Sequence, residues 1–459
     1  MNFKQTYLKY SYLNLVVLHV VIGFFVYLLK PLAKVYFVGV VGYFLWKILS
    51  VSYTKKTYYI LIASAYVVGV EVLFRMTKAS FSYEFSKYFV TLIMFYGLIV
   101  KGISKKSLSY IFYLLLLVPS ILIATKTLGY ELNFRTSVLF ALSGPICLGL
   151  CALFCYDRRV TRKQLLQVLA YLSYPIISMT AYLYFYTPSV KEVLSGTASN
   201  FETSGGFGPN QVATVLGLGM FALTVRFFKQ SPSLFLKILN LFLLAVISYR
   251  AIVTFSRGGV ITAILMVVAF LVIYFFRARL QEKSKIIISF LLLFLIAIST
   301  WVYSSSQTYG LIEKRYANED ASGKEKKDVS TGRLELFVEE MEGFFNNPFF
   351  GVGASGMKQY RFEKVGKHIA SHNEVSRLFA EHGMLGIFML LLLLIVPLTL
   401  RTNNKKNQYF YAFLVFWFAT INHSSMRIAA PAFIYALALL NVTHEKRPLH
   451  RKQLKKPAV

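Results

Sequence analysis

The stretch SRGGVITAILMVVAFLVIYFFRAR, residues 256–279, decides the fold. Between Arg257 and Arg277 it holds nineteen consecutive uncharged residues. A helix rises about 1.5 Å per residue, so the run nearly covers the roughly 30 Å of hydrocarbon in a bilayer. Arginines bound it on both sides. The pattern predicts a membrane-crossing helix with Arg257 at one face and Arg277 and Arg279 at the other.

Comparable runs begin near residues 11, 34, 57, 87, 107, 136, 165, 209, 234, 258, 286, 377, 407 and 426. The expected fold is therefore an all-α integral membrane protein with about 14 transmembrane helices, or 12 to 14 with soft boundaries. The chain has 459 residues, 56% of them hydrophobic, and a mean hydropathy of +0.56. Such a composition excludes a cytosolic enzyme, a disordered chain and a secreted disulfide scaffold. Cys147, Cys151 and Cys155 repeat every four residues on one face of a single apolar run, which suits packing better than a metal site. The run from Ser11 to Leu29 follows Lys4 and Lys9 like a signal peptide. It is of spanning length and ends at Lys30-Pro31 without a small-residue cleavage site, so it is expected to stay as an anchor.

Charge sets the expected orientation. Lysines and arginines total 50 against 20 acids, but they sit in short clusters between apolar runs, which argues against nucleic acid as a partner. The clusters Lys55/Lys56, Lys105/Lys106, Arg158 to Lys163, Arg226/Lys229, Arg277 to Lys283 and Arg401 to Lys406 fall on alternate connections. The basic C-terminus, Lys446 to Lys456, joins them. By the positive-inside rule both termini are cytoplasmic, in a multi-pass protein of the plasma (inner) membrane. The long polar stretch from about Ser304 to Ser371 then lies outside, where Glu313 to Glu374 carry 11 of the 20 acids. Four segments follow: an N-terminal transmembrane bundle (1–204), central transmembrane helices (205–304), an extracytoplasmic catalytic loop (305–371), and C-terminal transmembrane helices with a basic tail (372–459).

Candidate chemistry gathers at that outer face. Leu334, Phe337, Val338, Met341 and Phe345 recur at helical spacing, so an amphipathic helix is expected against the bundle or the headgroups, with Arg333 in its first turn. Asn346-Asn347-Pro348 ends it. Gly351, Gly353 and Gly356 then form a tight turn whose backbone would let a ligand come close. Ser371 and Glu374 have capping-box spacing, which places His372 in the first turn of the next helix, beside Asn373 and before Arg377 and Glu381. An unperturbed histidine is mostly neutral at pH 7 and can accept a hydroxyl proton. Arg250 and Arg257 lie close to the outer face. An arginine at mid-bilayer costs roughly 2.5 to 3.5 kcal/mol, so such residues normally face a cavity or a partner. Guanidinium forks match phosphate oxygens, so Arg257 and Arg333 converging on a cavity would suit a diphosphate. Glu335, Glu339 and Glu340 could instead pair with Arg333. Glu381 reads as an orienting or structural acid that Arg377 can reach. No Gly-x-x-x-x-Gly-Lys loop, His-Glu-x-x-His pair, Gly-x-Ser-x-Gly elbow or Asp-x-Asp pair occurs in the sequence.

Ser256-Arg257-Gly258-Gly259, then Asn347-Pro348 leading to Gly351-Val352-Gly353, then His372-Asn373 with Glu381, Gly383 and Gly386, resembles the O-antigen ligase and polymerase superfamily of bacterial envelopes. The resemblance spans roughly residues 205 to 390, including Pro209-Asn210-Gln211 at the start of a span. It implies a GT-C-like membrane glycosyltransferase that needs no metal or other cofactor. Its donor would be an undecaprenyl-diphosphate-linked glycan and its acceptor a second glycan, with a flippase and a chain-length regulator as further partners. By the family's pattern Arg257 and Arg333 would hold the diphosphate and His372 would deprotonate the acceptor. Arg250, Asn210, Gln211, Gly353, Asn373, Arg377 and Glu381 would line the substrate site. Val375 departs from the larger residue common at that place, which leaves the acceptor open between polymerase, ligase and protein-glycosylating types. A Lys-, Tyr- and Phe-rich chain with no outer-membrane cue favours a capsule or exopolysaccharide polymerase of a Gram-positive type of envelope. A lipid-linked oligosaccharide flippase or transporter is the rival of another class, and an envelope sensor or scaffold a third.

Overall fold

The computed structural model describes residues 3–326, 328, 330 and 332–443. The basic tail from Lys446 to Lys456, expected to be cytoplasmic, lies outside the described residues. The first half forms α1 (Phe3–Leu28), α2 (Pro31–Ser50), α3 (Lys56–Met76), α4 (Phe85–Lys101), α5 (Leu108–Leu116), α6 (Val118–Thr127), α7 (Phe134–Cys155) and α8 (Arg162–Tyr186). The second half adds α9 (Pro209–Lys229), α10 (Leu234–Ile252), α11 (Arg257–Phe276), α12 (Leu280–Gln307), α13 (Leu311–Tyr316) and α14 (Arg333–Asn346). It continues with α15 (Gly356–Val365), α16 (Glu374–His382), α17 (Met384–Asn403), α18 (Phe410–His423) and α19 (Ala430–Ala438).

Among the described residues, 11 helical segments are long and apolar enough to cross a membrane, with α5 and α6 joined as one. Three further apolar runs read as spans fall short of that length: α4 with 17 residues, α18 with 14 and α19 with 9. Protein surrounds α19, which is buried along its whole length against α7 and α18. A helix that never meets lipid need not match the bilayer's thickness. The structure also departs from an all-α expectation at one small place. Two three-residue strands, β1 (Arg159–Thr161) and β2 (Asn441–Thr443), pair in parallel and tie the start of α8 to the end of the described chain.

Local signals set several helix starts. Asn133 caps α7 through the Thr136 amide, Thr161 and Gln164 form a capping box on α8, and Ser233 caps α10. The core is built from α3 against α8, α9 against α10 and α11, and α11 against α18. Cys147, Cys151 and Cys155 are buried in α7. In contrast α12 buries only Ile286, Thr300 and Ser304 and presents an apolar surface along most of its length.

The long connections gather at one end, here the upper end. Residues 187–208 pack there on the α10–α11 turn through Thr203 Oγ1 donating to Val253 O (2.6 Å) and the Asn200 amide to Thr254 O (3.1 Å). They also meet the 317–332 loop, where Thr197 Oγ1 donates to Glu319 O (2.9 Å) and accepts from Lys326 Nζ (2.6 Å).

Candidate functional site

The glycines of Ser256-Arg257-Gly258-Gly259 serve helix packing. A Cβ on Gly259 would stand 2.8 Å from the Ala213 backbone carbon, and one on Gly258 would stand 2.6 Å from the His423 ring. Without side chains there, α11 lies directly against α9 and α18, and Arg257 is delivered to the top of that contact. Ser256 Oγ donates to Asn210 Oδ1 (2.7 Å), which fastens the α9 start to the α11 start. Phe255 takes a left-handed turn (φ 58°) whose carbonyl accepts from Arg315 Nε (3.2 Å), and Arg257 Nη1 donates to Arg315 O (3.3 Å). Arg315, which the sequence reading passed over, thus stands beside Arg257.

Arg333 opens α14, as expected. Two of the three carboxylates expected as its partners, Glu339 and Glu340, are taken elsewhere. Arg361 of α15 holds Glu339 at 3.0 Å and Glu340 at 2.7 Å, and Glu340 also accepts from Ser371 and Ser376. The polar edge of α14 therefore faces inward. Its apolar stripe does not lie on the bundle: Leu334, Phe337, Val338 and Phe345 are exposed, next to exposed Phe349 and Phe350. A stripe of that kind facing out of the protein suits the headgroup region, the second of the two placements expected.

His372 lies two residues before the first turn of α16, in which it was expected. Asn373 is the N-cap of α16, its side chain accepting from the amides of Val375 (2.8 Å) and Ser376 (3.4 Å). Ser371 cannot serve in a capping box because its hydroxyl is drawn to Glu340. Next to it, Arg427, between α18 and α19, donates to Ser371 O at 2.9 Å. His372 Nδ1 is buried without a hydrogen-bond partner. Burial first, then the charges of Arg427, Arg333 and Arg361, push its pKa down to about 4. Arg333 is likewise held below the ordinary guanidinium value by burial and by Arg257, and Arg315 by burial, Arg257 and Arg333. These are groups close enough to feel one another's charge, and Lys326 stands within the same field.

The other expected site residues lie in different surroundings. Arg377 is saturated: it binds Glu374, donates to Glu381 Oε2 at 2.8 Å and reaches Ala141 O at 3.1 Å. Glu381, expected in the substrate site, is buried and paired with Arg377. Gly353 (φ +82°) sets its Cα against the Ala124 amide, where a Cβ would stand at 2.6 Å, and Gly351 does the same against Glu381 and His382. Both glycines let backbones meet backbones instead of admitting a ligand. Gln211 accepts from Arg75 (3.1 Å) and donates to Tyr83 (3.3 Å). Arg250 is buried away from the cluster, donating to Thr187 O (2.9 Å) and lying over the Tyr184 ring at 4.8 Å.

A second missed group holds the Arg427 segment in place. Glu71 and Arg75 of α3 pair at 2.6 Å, Glu84 binds Lys87, and Glu71 Oε2 accepts the Ala429 amide at 2.8 Å. Lys87 Nζ reaches Ser143 Oγ at 2.9 Å. A cavity of about 50 Å³ is lined by Lys87, Ser371, Glu374, Arg377 and Arg427. It has room for water but not for a sugar ring.

Chemically, the upper end offers several guanidinium groups from separate segments around one neutral imidazole. Such a set can bind a polyanion and accept one proton. Residues 241–391 match the family model Wzy_C, described as O-Antigen ligase. The match runs from within α10 into α17, so it includes Arg257, Arg315, Arg333 and His372. It leaves out Asn210, Gln211, His423 and Arg427. No curated protein matches the chain.

Proposed function

We propose that the chain, whose residues 241–391 match the O-antigen ligase family model, belongs to the O-antigen ligase and polymerase superfamily and is a glycosyltransferase of polysaccharide assembly. Its donor is an undecaprenyl-diphosphate-linked oligosaccharide, and it polymerises repeat units into capsular or exopolysaccharide at the outer face of the plasma membrane. The upper end is extracytoplasmic in this reading, the bundle is GT-C-like, and the alternation of basic connections supports that orientation.

The observation that carries the proposal is that Arg427 and Arg333 stand close enough to act on His372, and Arg257 on Arg333, while the buried Nδ1 of His372 has no hydrogen-bond partner. The acceptor hydroxyl attacks the anomeric carbon of the donor while His372 takes its proton. The bond from that carbon to the diphosphate oxygen breaks, and the electron pair leaves with the diphosphate. Arg257, Arg333, Arg315 and Arg427 offset the charge that develops on it, the task a divalent ion performs in other glycosyl transfers. Positioning two lipid-linked chains supplies much of the remaining acceleration. The low proton affinity of His372 keeps it neutral before substrate arrives. A bound diphosphate then compensates the surrounding guanidinium groups and makes it a stronger base.

The test is reconstitution of the purified protein with lipid-linked repeat units in the presence of EDTA. A ladder of products, unchanged by the chelator, is expected. Single transfer without a ladder would assign a ligase, and loss of all product on chelation would contradict the metal-independent mechanism.

A further inference from the structure

A large polar cavity lies at the opposite, lower end of the bundle, where α9 ends. Along the 21 residues of α9 this is about 30 Å from Asn210. The cavity measures about 790 Å³. Its polar wall carries Arg162 and Lys163 from the start of α8 and Arg226 and Lys229 from the end of α9. Among the described residues that line it there is no carboxylate. Glu282 of α12 is the acid whose field reaches Lys229 from outside the lining.

The wall is built, not merely charged. The Arg226 guanidinium lies over the Tyr12 ring at 3.4 Å and donates from Nη1 to Gln230 at 3.0 Å, while its Nε is buried without a partner. Tyr12 is fixed in turn by donating to Asn240 Oδ1 at 2.6 Å, and Asn240 donates to Ser231 Oγ at 2.8 Å. Beside these polar groups the lining is apolar, with Leu15, Leu166, Phe228 and Leu236. Cations that only set topology can sit anywhere on a connection. Here two connections bring theirs to one cavity, onto aromatic faces, with a donor left over. An anion with an apolar extension satisfies both halves of such a wall.

We propose that this cavity is a phosphate site, which holds the headgroup of an anionic phospholipid from the leaflet at the lower end. The proposal does not depend on the glycosyltransferase reading, since none of these residues belongs to the upper cluster.

The test uses the full-length protein reconstituted in an equimolar mixture of phosphatidylglycerol and phosphatidylcholine, re-isolated in neutral detergent, with retained lipid counted by native mass spectrometry. Wild type is expected to retain phosphatidylglycerol in preference to phosphatidylcholine. With each cation worth roughly fivefold, the double variant Arg226→Gln/Lys229→Gln should bind it about thirtyfold more weakly. The exposed Lys163→Gln alone should weaken it by about fivefold and guards against a folding defect in the double variant. Arg257→Ala should retain it as wild type does. Displacement of the lipid by inorganic pyrophosphate would support phosphate as the recognised group and a free anion as a competing source. Retention against pyrophosphate would support the lipid as the source. Equal retention of both lipids by wild type, or undiminished retention by the folded Lys163→Gln and double variants, would overturn the proposal.

Discussion

Arg361 and Arg333 come from the same extramembrane segment yet stand in opposite electrostatic settings. Arg361 is buried with Glu339, Glu340, Ser371 and two backbone carbonyls around it. Arg333 instead has Arg257 as the main charge acting on it, with Arg315 and Arg427 near. The first arrangement completes itself and holds α14, α15 and α16 together. The second accumulates like charge, which folding alone does not favour and an anionic ligand would relieve.

That contrast can be broken most sharply at the upper cluster. His372→Ala should lower turnover by about 10² to 10⁴, and Arg257→Ala by about 10² to 10³, with protein abundance and lipid-linked repeats unchanged in cells. Arg257→Lys should restore little, because an ammonium lacks the fork that grips two phosphate oxygens. Polymer of normal length from either alanine variant would remove the cluster from catalysis. The paired side should respond the other way. Glu340→Ala leaves a buried guanidinium half-compensated and should cost roughly 3–5 kcal/mol of stability, read as a lower thermal midpoint and reduced abundance.

Smaller effects sharpen the same comparison. Gly259→Ala drives a methyl group into the α9 backbone and should cost about 1–3 kcal/mol, with loss of activity only as far as Arg257 is displaced. The pH profile should show how cationic the empty cluster is. His372 titrates near 4 before substrate binds, so it stays a proton acceptor above that pH and is lost as pH falls through it. The acid limb of kcat/KM should therefore lie well below the ordinary histidine value of about 6.5. With the diphosphate bound, the limb of kcat should move to higher pH. A kcat/KM limb near 6.5 would mean that His372 is neither buried nor crowded by arginines.

Much of this was legible in the sequence because bilayer thickness imposes run lengths, and runs survive in composition. Most span starts follow from that, but the span expected from residue 377 begins at Met384, because Gly383 (φ 61°) separates α16 from α17. The misses share a cause, which is that tertiary partners override local signals. Ser371 has the spacing of a cap, but Glu340 claims its hydroxyl and Asn373 caps α16 instead. Gly351 and Gly353, expected to let a ligand come close, are where their turn touches α16 and α6. Arg427 was hidden because residue 426 read as the start of a span, though Ser424-Ser425-Met426-Arg427 is a polar break between apolar runs. The hydropathy count exceeded the number of full-length spans among the described residues because α4, α18 and α19 are shorter than a span, α19 being sheltered by protein.

Binding of sugar-free undecaprenyl diphosphate to the purified protein tests the convergence of the upper arginines most directly. Replacement of Arg257 or Arg333 by alanine should weaken it by about tenfold to a hundredfold, the worth of a charged hydrogen bond. Arg250→Ala, outside the cluster, should leave it nearly unchanged. Wild-type affinity in both cluster variants would show that these guanidinium groups do not meet on a diphosphate.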